Sequence, residues 1–338
     1  MFYNNFNTIL EYIWIGGNGE IRSKTRVLNI AVNKTIDMPY WNYDGSSTDQ
    51  ADSNSNTEVI LNPCKLFKNP FINNNIGNHF LVLCETLDTN MNPLPTNHRH
   101  NAVKIFDKNI ELEPWFGLEQ EYFMIHKGEK GRNLCSEDGR YYCGTQLNKI
   151  ERTIVEEHLQ ACLTAKINIS GLNAEVSPSQ WEFQIGPCTG IESGDHMIIA
   201  RFLLERIAEK YDVVINYTPK LYKHINGSGC HTNFSTSVTR DENGIKEIYK
   251  CMSKLEKKHN KHIQVYGKNN ENRLTGIHET SSINKFSFGV GTRNTSVRIP
   301  NQVVKDGCGY FEDRRPAANI DPYQVTSLVF QTCCLDEF

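Results

Sequence analysis

The stretch "NAEVSPSQWEFQIGP", residues 173–187, constrains the fold more tightly than any other part of the chain. Glu175 and Glu182 stand on either side of Ser177-Pro178-Ser179 in an otherwise apolar run. Side chains alternate across a strand, so two positions an odd number of residues apart on one continuous strand face opposite sides. The two acids therefore meet only if the chain turns between them. Pro178 fixes its own φ and cannot donate to a strand ladder, so the Ser-Pro-Ser segment supplies such a turn. The sequence permits convergence without requiring it.

The same parity puts Glu119 and Glu121 of "WFGLEQEYFMI" on one face and Gln120 on the other. Two carboxylates then sit side by side, facing either solvent or a cation. His231 follows a glycine loop in "NGSGCHTNFS", just before a strand, and "YFEDRRP" sets Glu312 beside Asp313, Arg314 and Arg315. Each taken singly has an ordinary structural reading as a solvated acid, a satisfied histidine or an ion-paired face. Together they offer five glutamates and one histidine, mostly hard oxygen donors, which suit magnesium or manganese rather than structural zinc.

A chain of 338 residues fits two domains, or one large domain with a smaller companion. "EYIWI", "KTRVLNIAV", "TEVILNP" and "HFLVLCETL" are short, rich in aliphatic and β-branched residues, and separated by Gly- and Asn-rich turns. They predict a small, mostly β domain in the first hundred residues. "YWNYDGSSTDQADSNSN" reads as one long loop of a functional kind. The prolines of "NPLPTNHRHNAVKIF" lead into a helix and mark a boundary, dividing the chain into 1–97 and 98–338.

Beyond that boundary strands and helices mix. "ERTIVEEHLQACLTAK" predicts a helix with Ile154, Val155, Leu159, Cys162 and Leu163 on its stripe, and "NGIKEIYKCMSKLEKKHNKH" another with Ile245, Ile248, Tyr249, Met252 and Leu255. With "GDHMIIARFLLERIAEKY" they cover one face of a sheet built from "WFGLEQEYFMI", "WEFQIG", "HTNFSTSV" and "SFGVGTRNTSVRIP", an α+β arrangement. Basic and acidic side chains number 36 and 39, for a net charge of -3, so the composition suggests neither a nucleic-acid nor a membrane partner. No apolar stretch approaches the roughly 20 residues that cross a bilayer, and the 11 cysteines show no framework spacing. A cytoplasmic chain with reduced thiols is expected.

"WNYDGSST", "WFGLEQEY", "NAEVSPSQWEFQIGP", "NGSGCHTNFS", "RLTGIHETSSIN" and "YFEDRRPAANIDPY", in this order between Tyr12 and Leu335, resemble glutamine synthetase of the eukaryotic type. The resemblance implies a small N-terminal β-grasp domain and a larger catalytic domain whose antiparallel sheet forms an open barrel backed by helices. It also implies ATP-dependent ligation of ammonia to L-glutamate through γ-glutamyl phosphate. Two or three Mg2+ or Mn2+ ions per site follow, one held by Glu121, Glu175 and Glu182, another by Glu119, His231 and Glu312.

Further roles follow from the same resemblance. Asp44, with Ser47 and Tyr142, would hold ammonium and take its proton, and Glu279 would close the site against water. Arg293, Arg298 and Arg314 would serve phosphate and glutamate, and Arg273 the substrate α-carboxylate, as forked guanidiniums bind both anions. Asn226 and Gly227 would read glutamate, and Trp115, Asn233 and Ser235 would line the nucleotide with Arg293 and Arg314. The Asp44 loop would complete a neighbouring subunit's site, in a decamer of two stacked pentamers. One departure from the family stands at residues 126–140, where a longer Gly- and Pro-rich segment is usual beside the nucleotide entrance. A non-catalytic member of the fold would have lost ligands or phosphate arginines, and none is missing.

Overall fold

The computed structural model describes residues 8–30, 32, 34–72, 78–127 and 141–335; most of the divergent 126–140 segment lies outside them. Five strands make a first sheet: β1 (Thr8–Ile15), β2 (Ile21–Leu28), β3 (Trp41–Asp44), β4 (Glu58–Lys68) and β5 (His79–Leu87), in the order β2-β1-β5-β4-β3. Only the β1–β5 pair in it is parallel. One face carries Leu10, Tyr12, Trp14, Val82 and Cys84 into a cluster of its own. The other sends Ile13, Leu81 and Leu83 into the main core. Burial on both faces is why "HFLVLCETL" reads as a nearly unbroken apolar run.

The expected long loop after Pro39 is partly a strand. Trp41 and Tyr43 stack on Tyr12 and Trp14, with ring centroids 5.4 and 4.6 Å apart, and draw Trp41–Asp44 onto β4. Asp44 then caps a single 3-10 turn, Gly45–Thr48.

The second sheet is β11-β12-β13-β10-β6-β8-β7, with β9 also on β6. Its strands are β6 (Trp115–His126), β7 (Ile169–Ala174), β8 (Gln180–Thr189), β9 (Val213–Asn216), β10 (Cys230–Ser235), β11 (Phe288–Val290), β12 (Val297–Ile299) and β13 (Phe311–Asp313). All its pairings are antiparallel except β11–β12. The sheet curls into a half-barrel, giving a mixed α/β architecture.

Helices α1 (His98–Phe106), α2 (Lys149–Thr164), α3 (Glu192–Glu209), α4 (Ser237–Arg240), α5 (Ile245–Lys257), α6 (His259–Ile263), α7 (Asn301–Asp306) and α8 (Pro322–Phe330) complete the fold. α2 and α3 pack against the sheet. Every residue of α3 from Ser193 to Leu204 is buried, which marks a core helix rather than a surface one. Arg99 fastens α3 to the first sheet by pairing with both Asp195 and Glu85 at 2.8 Å.

Several expectations need correction. The α2 stripe runs through Ile154, Val155, His158, Ala161 and Cys162, while Leu163 is exposed, because the buried line advances at 3.6 residues per turn. On α5, Cys251 is buried and Tyr249 exposed for the same reason. "HTNFSTSV" stops being a strand at Ser235, where Thr236 and Thr239 form a capping box that starts α4. "SFGVGTRNTSVRIP" is two short strands joined by a loop, not one strand. Among the described residues no helix is long and apolar enough to cross a membrane.

Beneath the sheet, Arg315 and Asp313 are both 0% exposed. Arg315 Nε and Nη2 donate to Asp313 at 2.9 and 2.6 Å, and Tyr266 Oη donates at 2.7 Å. Burial pushes the Asp313 carboxyl up, but the guanidinium and these hydrogen bonds prevail and hold it below its usual range. Arg315→Met should cost about 3–5 kcal/mol by leaving a buried charge unpaired, as urea unfolding would measure. A loss under about 1 kcal/mol would show that the cluster relaxes or admits water.

Candidate active site

The register of β6 with its neighbours lays out the site in three rows. Gly117 opposes Asn233, which opposes Glu312, which opposes Arg298. In the next row His231 opposes Glu119, which opposes Gln184. In the third Glu121 opposes Glu182, which opposes Asn173. All share one face by parity, because Leu118, Tyr122, Phe183, Cys230 and Phe234 on the other face fill the core.

Glu175 joins from the β7–β8 turn. Its N–H donates to Gln180 O at 2.9 Å, Gln180 N–H donates to Ser177 O, and Ser179 takes φ +59° to close the turn. Ligand atoms of Glu121, Glu175 and Glu182 lie within 4.8 Å of one another, as do those of Glu119, His231 and Glu312. The turn at Pro178 thus brings the two acids of the opening stretch to one place.

These carboxyls are crowded. Burial, then the charges of Glu119, Glu121 and Glu175, pushes Glu182 up to about 9. Burial and then Glu175 push Glu121 up to about 8, although Arg273 and the Gly229 N–H, 2.6 Å from Glu121 Oε2, oppose the shift. Glu175 is raised by burial too. His231 is held well below its usual range by burial and by Arg314, so its ring is neutral and able to ligate. Glu312, 1% exposed, accepts from Arg314 Nη1 at 2.8 Å. Arg298 Nε touches its Oε2 at 2.5 Å without hydrogen-bond alignment, leaving that buried oxygen unsatisfied. Clustered, desolvated hard donors of this kind fit divalent cations.

The crowding predicts a pH dependence. Between the usual carboxylate range and about pH 8–9 the folded, metal-free chain holds protons that the unfolded chain has released. Its stability should therefore fall as pH rises through that window, and a divalent ion should flatten the slope by replacing the protons. Melting temperatures in EDTA and in Mn2+ would test it, and a metal-free melting temperature that rises across the window would refute it.

Four arginines face the acids across the same cavity, which Tyr142, Asn226, Gly227, Arg273, Glu279, Arg293, Arg298 and Arg314 also line. Arg293 Nη1 pairs with Glu279 Oε1 at 3.0 Å, and Arg314 Nη2 donates to Glu279 O at 3.3 Å. His278 and Glu279 both have positive φ, +52° and +63°, so this loop is strained and the arginines hold it in place. Arg273 is buried, and burial lowers it to about 10; its Nη2 lies 3.0 Å from His231 Nε2. A Cβ at Gly227 would collide with Pro219 O, so only glycine fits that wall.

Other expected site residues do not themselves line this cavity. Asn233 donates to Glu119 Oε1 at 2.7 Å. Trp115 and Ser235 oppose each other further along β6 and β10; Trp115 lies 3.7 Å under the Arg240 guanidinium, which also reaches Ser235 Oγ. Asp44 and Ser47 sit at the end of β3, outside the cavity formed by their own chain. Hydrogen bonds from Ser46 hold the exposed Asp44 carboxyl below its usual range. Sequence reading missed Gln180, His278 and Thr280, which line the cavity, and the amides Asn173 and Gln184 beside it. Parity with Glu182 is the signal that could have found Gln180 and Gln184.

Acidic donors in two groups beneath a rim of arginines define an enzyme site for anionic substrates handled with divalent metal. Residues 96–334 match the glutamine synthetase catalytic domain. A protein of Acanthamoeba polyphaga mimivirus whose name places it in the same family is 55% identical over 336 residues, covering 97% of this chain and 94% of its own. A glutamine synthetase of Emericella nidulans is 50% identical over 97% of this chain and 93% of its own. A glutamine synthetase nodule isozyme of Lupinus luteus is 49% identical over 97% and 95%. The chain belongs to the glutamine synthetase family.

Proposed function

We propose that the chain ligates ammonia to the γ-carboxylate of L-glutamate at the expense of ATP, forming glutamine, ADP and phosphate for nitrogen assimilation. The convergence of two trios, one of three glutamates and one of two glutamates with His231, beneath four arginines carries this reading. Glu121, Glu175 and Glu182 would hold one divalent ion and Glu119, His231 and Glu312 a second, Mg2+ or Mn2+, with two or three ions per site. Bound there, such ions neutralise charge developing on a transferred phosphoryl group.

The chain's own residues do the rest. Arg273, with Asn226 and Gly227, orients glutamate, while Arg293, Arg298 and Arg314 offset phosphate charge. A γ-carboxylate oxygen attacks the γ-phosphorus, ADP leaves, and γ-glutamyl phosphate forms. Asp44, with Ser47 and Tyr142, takes a proton from ammonium, since only neutral ammonia has a lone pair to attack the acyl carbon and expel phosphate. Glu279 keeps water from the intermediate. Trp115, Asn233 and Ser235 flank the nucleotide.

Asp44 lies outside its own chain's cavity, which favours a site shared between neighbours in a homo-oligomer, here a decamer of two pentameric rings. The separate core cluster of the first sheet supports a β-grasp unit over 1–97 and a catalytic unit over 98–338. A cytoplasmic location accompanies this function.

Phosphate release from ATP and Mg2+ should require glutamate and ammonium together and match glutamine formed mole for mole. Turnover that ammonium cannot support but another amine can would replace this reading with a γ-glutamyl-amine ligase.

A further inference from the structure

Two amides beside the acids form an unbroken hydrogen-bonded chain. Asn173 Nδ2 donates to Glu175 Oε1 at 2.9 Å. Gln184 Nε2 donates to Asn173 Oδ1 at 2.8 Å and also to Glu182 Oε1. A carboxamide nitrogen has two hydrogens, so Nε2 can serve both acceptors. Glu175 and Glu182, which the turn separates in sequence, are thereby tied to each other.

Neither amide lines the cavity; Asn173 stands opposite Glu182, and Gln184 opposite Glu119. The fold also reserves space for the chain. Gly171 on β7 opposes Gln184, and a Cβ there would strike Gln184 Oε1. A glycine at an interior strand position packs poorly and needs a local reason. Room for this carboxamide is one.

Adjacent carboxylates repel and would swing apart through their free rotamers. N–H donors that reach one oxygen of each fix the rotamers and favour the ionised form. We propose that Asn173 and Gln184 are positioning residues: they hold Glu175 and Glu182 in the ligating arrangement and so set the affinity of the Glu121, Glu175 and Glu182 site for a divalent ion. The inference rests on reading those three acids as metal ligands.

The test titrates the full-length protein with Mn2+ and follows free ion by electron paramagnetic resonance, independently of turnover. Gln184→Met and Asn173→Ala should each weaken one class of site by about tenfold, the scale of groups that orient ligands. Either substitution cuts the same chain, so the double variant should fall within about twofold of the weaker single one. Gly171→Ala, which touches no ligand, should reproduce Gln184→Met by displacing the amide. Gly171→Ala and Asn173→Ala carry the test if Gln184→Met does not fold.

Glu182→Ala separates the two claims. If it weakens Mn2+ binding while the amide variants bind as the parent does, the relay is wrong and the metal reading stands. If Mn2+ binding survives Glu182→Ala unchanged, the metal reading fails and the proposal falls with it.

Discussion

Glu182→Ala should reduce glutamine formation by about a thousandfold or more while raising the melting temperature of the metal-free protein. Glu182 is 7% exposed and directly opposes Glu121, with Glu175 in the same cluster. If Glu121, Glu175 and Glu182 hold a divalent ion as proposed, its loss would leave that ion two carboxylates of three. A loss of about 4 kcal/mol in stabilising the transferred phosphoryl group corresponds to about three orders of magnitude in rate. In the metal-free chain the same substitution removes a carboxyl that burial, and then its acidic neighbours, push up to about 9, so that it must either take up a proton or bear their repulsion. A site arranged for function at the expense of stability has this signature. Steady-state assays with thermal melts in EDTA would measure both effects. Near-normal turnover would remove Glu182 from the ligand set. Lost turnover with a lowered metal-free melting temperature would indicate a structural role instead.

The acids were readable because strand parity is a local rule. Glu119 and Glu121 share a face on any strand, and Glu175 and Glu182 need a turn that Pro178 supplies. Gln180 and Gln184 share the parity of Glu182, but nothing local distinguishes an amide that props a ligand from one that faces solvent. That distinction needs Asn173, which reaches Gln184 only through the β7–β8 pairing.

Contacts between distant segments were not readable. The segment Trp41–Asp44 is a strand because Trp41 and Tyr43 meet Tyr12 and Trp14, about thirty positions earlier, and its own turn-rich surroundings argue against it. The break between β11 and β12 leaves Arg293 on a loop facing Glu279 and Arg298 on a strand facing Glu312. No period in "SFGVGTRNTSVRIP" announces that break. The positions of Asp44 and Tyr142 show the same limit at a larger scale: family resemblance groups them, but the single chain holds them apart.

That separation makes the last expectation decisive for assembly. Asp44→Ala alone should slow glutamine formation by about a hundredfold to ten-thousandfold, the span for a missing general base. Formation of the acyl phosphate should suffer much less, since no proton leaves ammonium in that step. If each site takes Asp44 from one subunit and Glu182 from the next, random equal mixing of the two variants leaves about one site in four with both residues native. Mixed, subunit-exchanged oligomers should then recover about a quarter of parental activity from two nearly inactive parents. Sites complete within one chain give no such rescue, because every subunit carries one lesion. Recovery near a quarter would therefore place Asp44 across a subunit boundary, while absence of rescue in oligomers shown to have exchanged would confine each site to one chain and require the β3 loop to reach its own cavity.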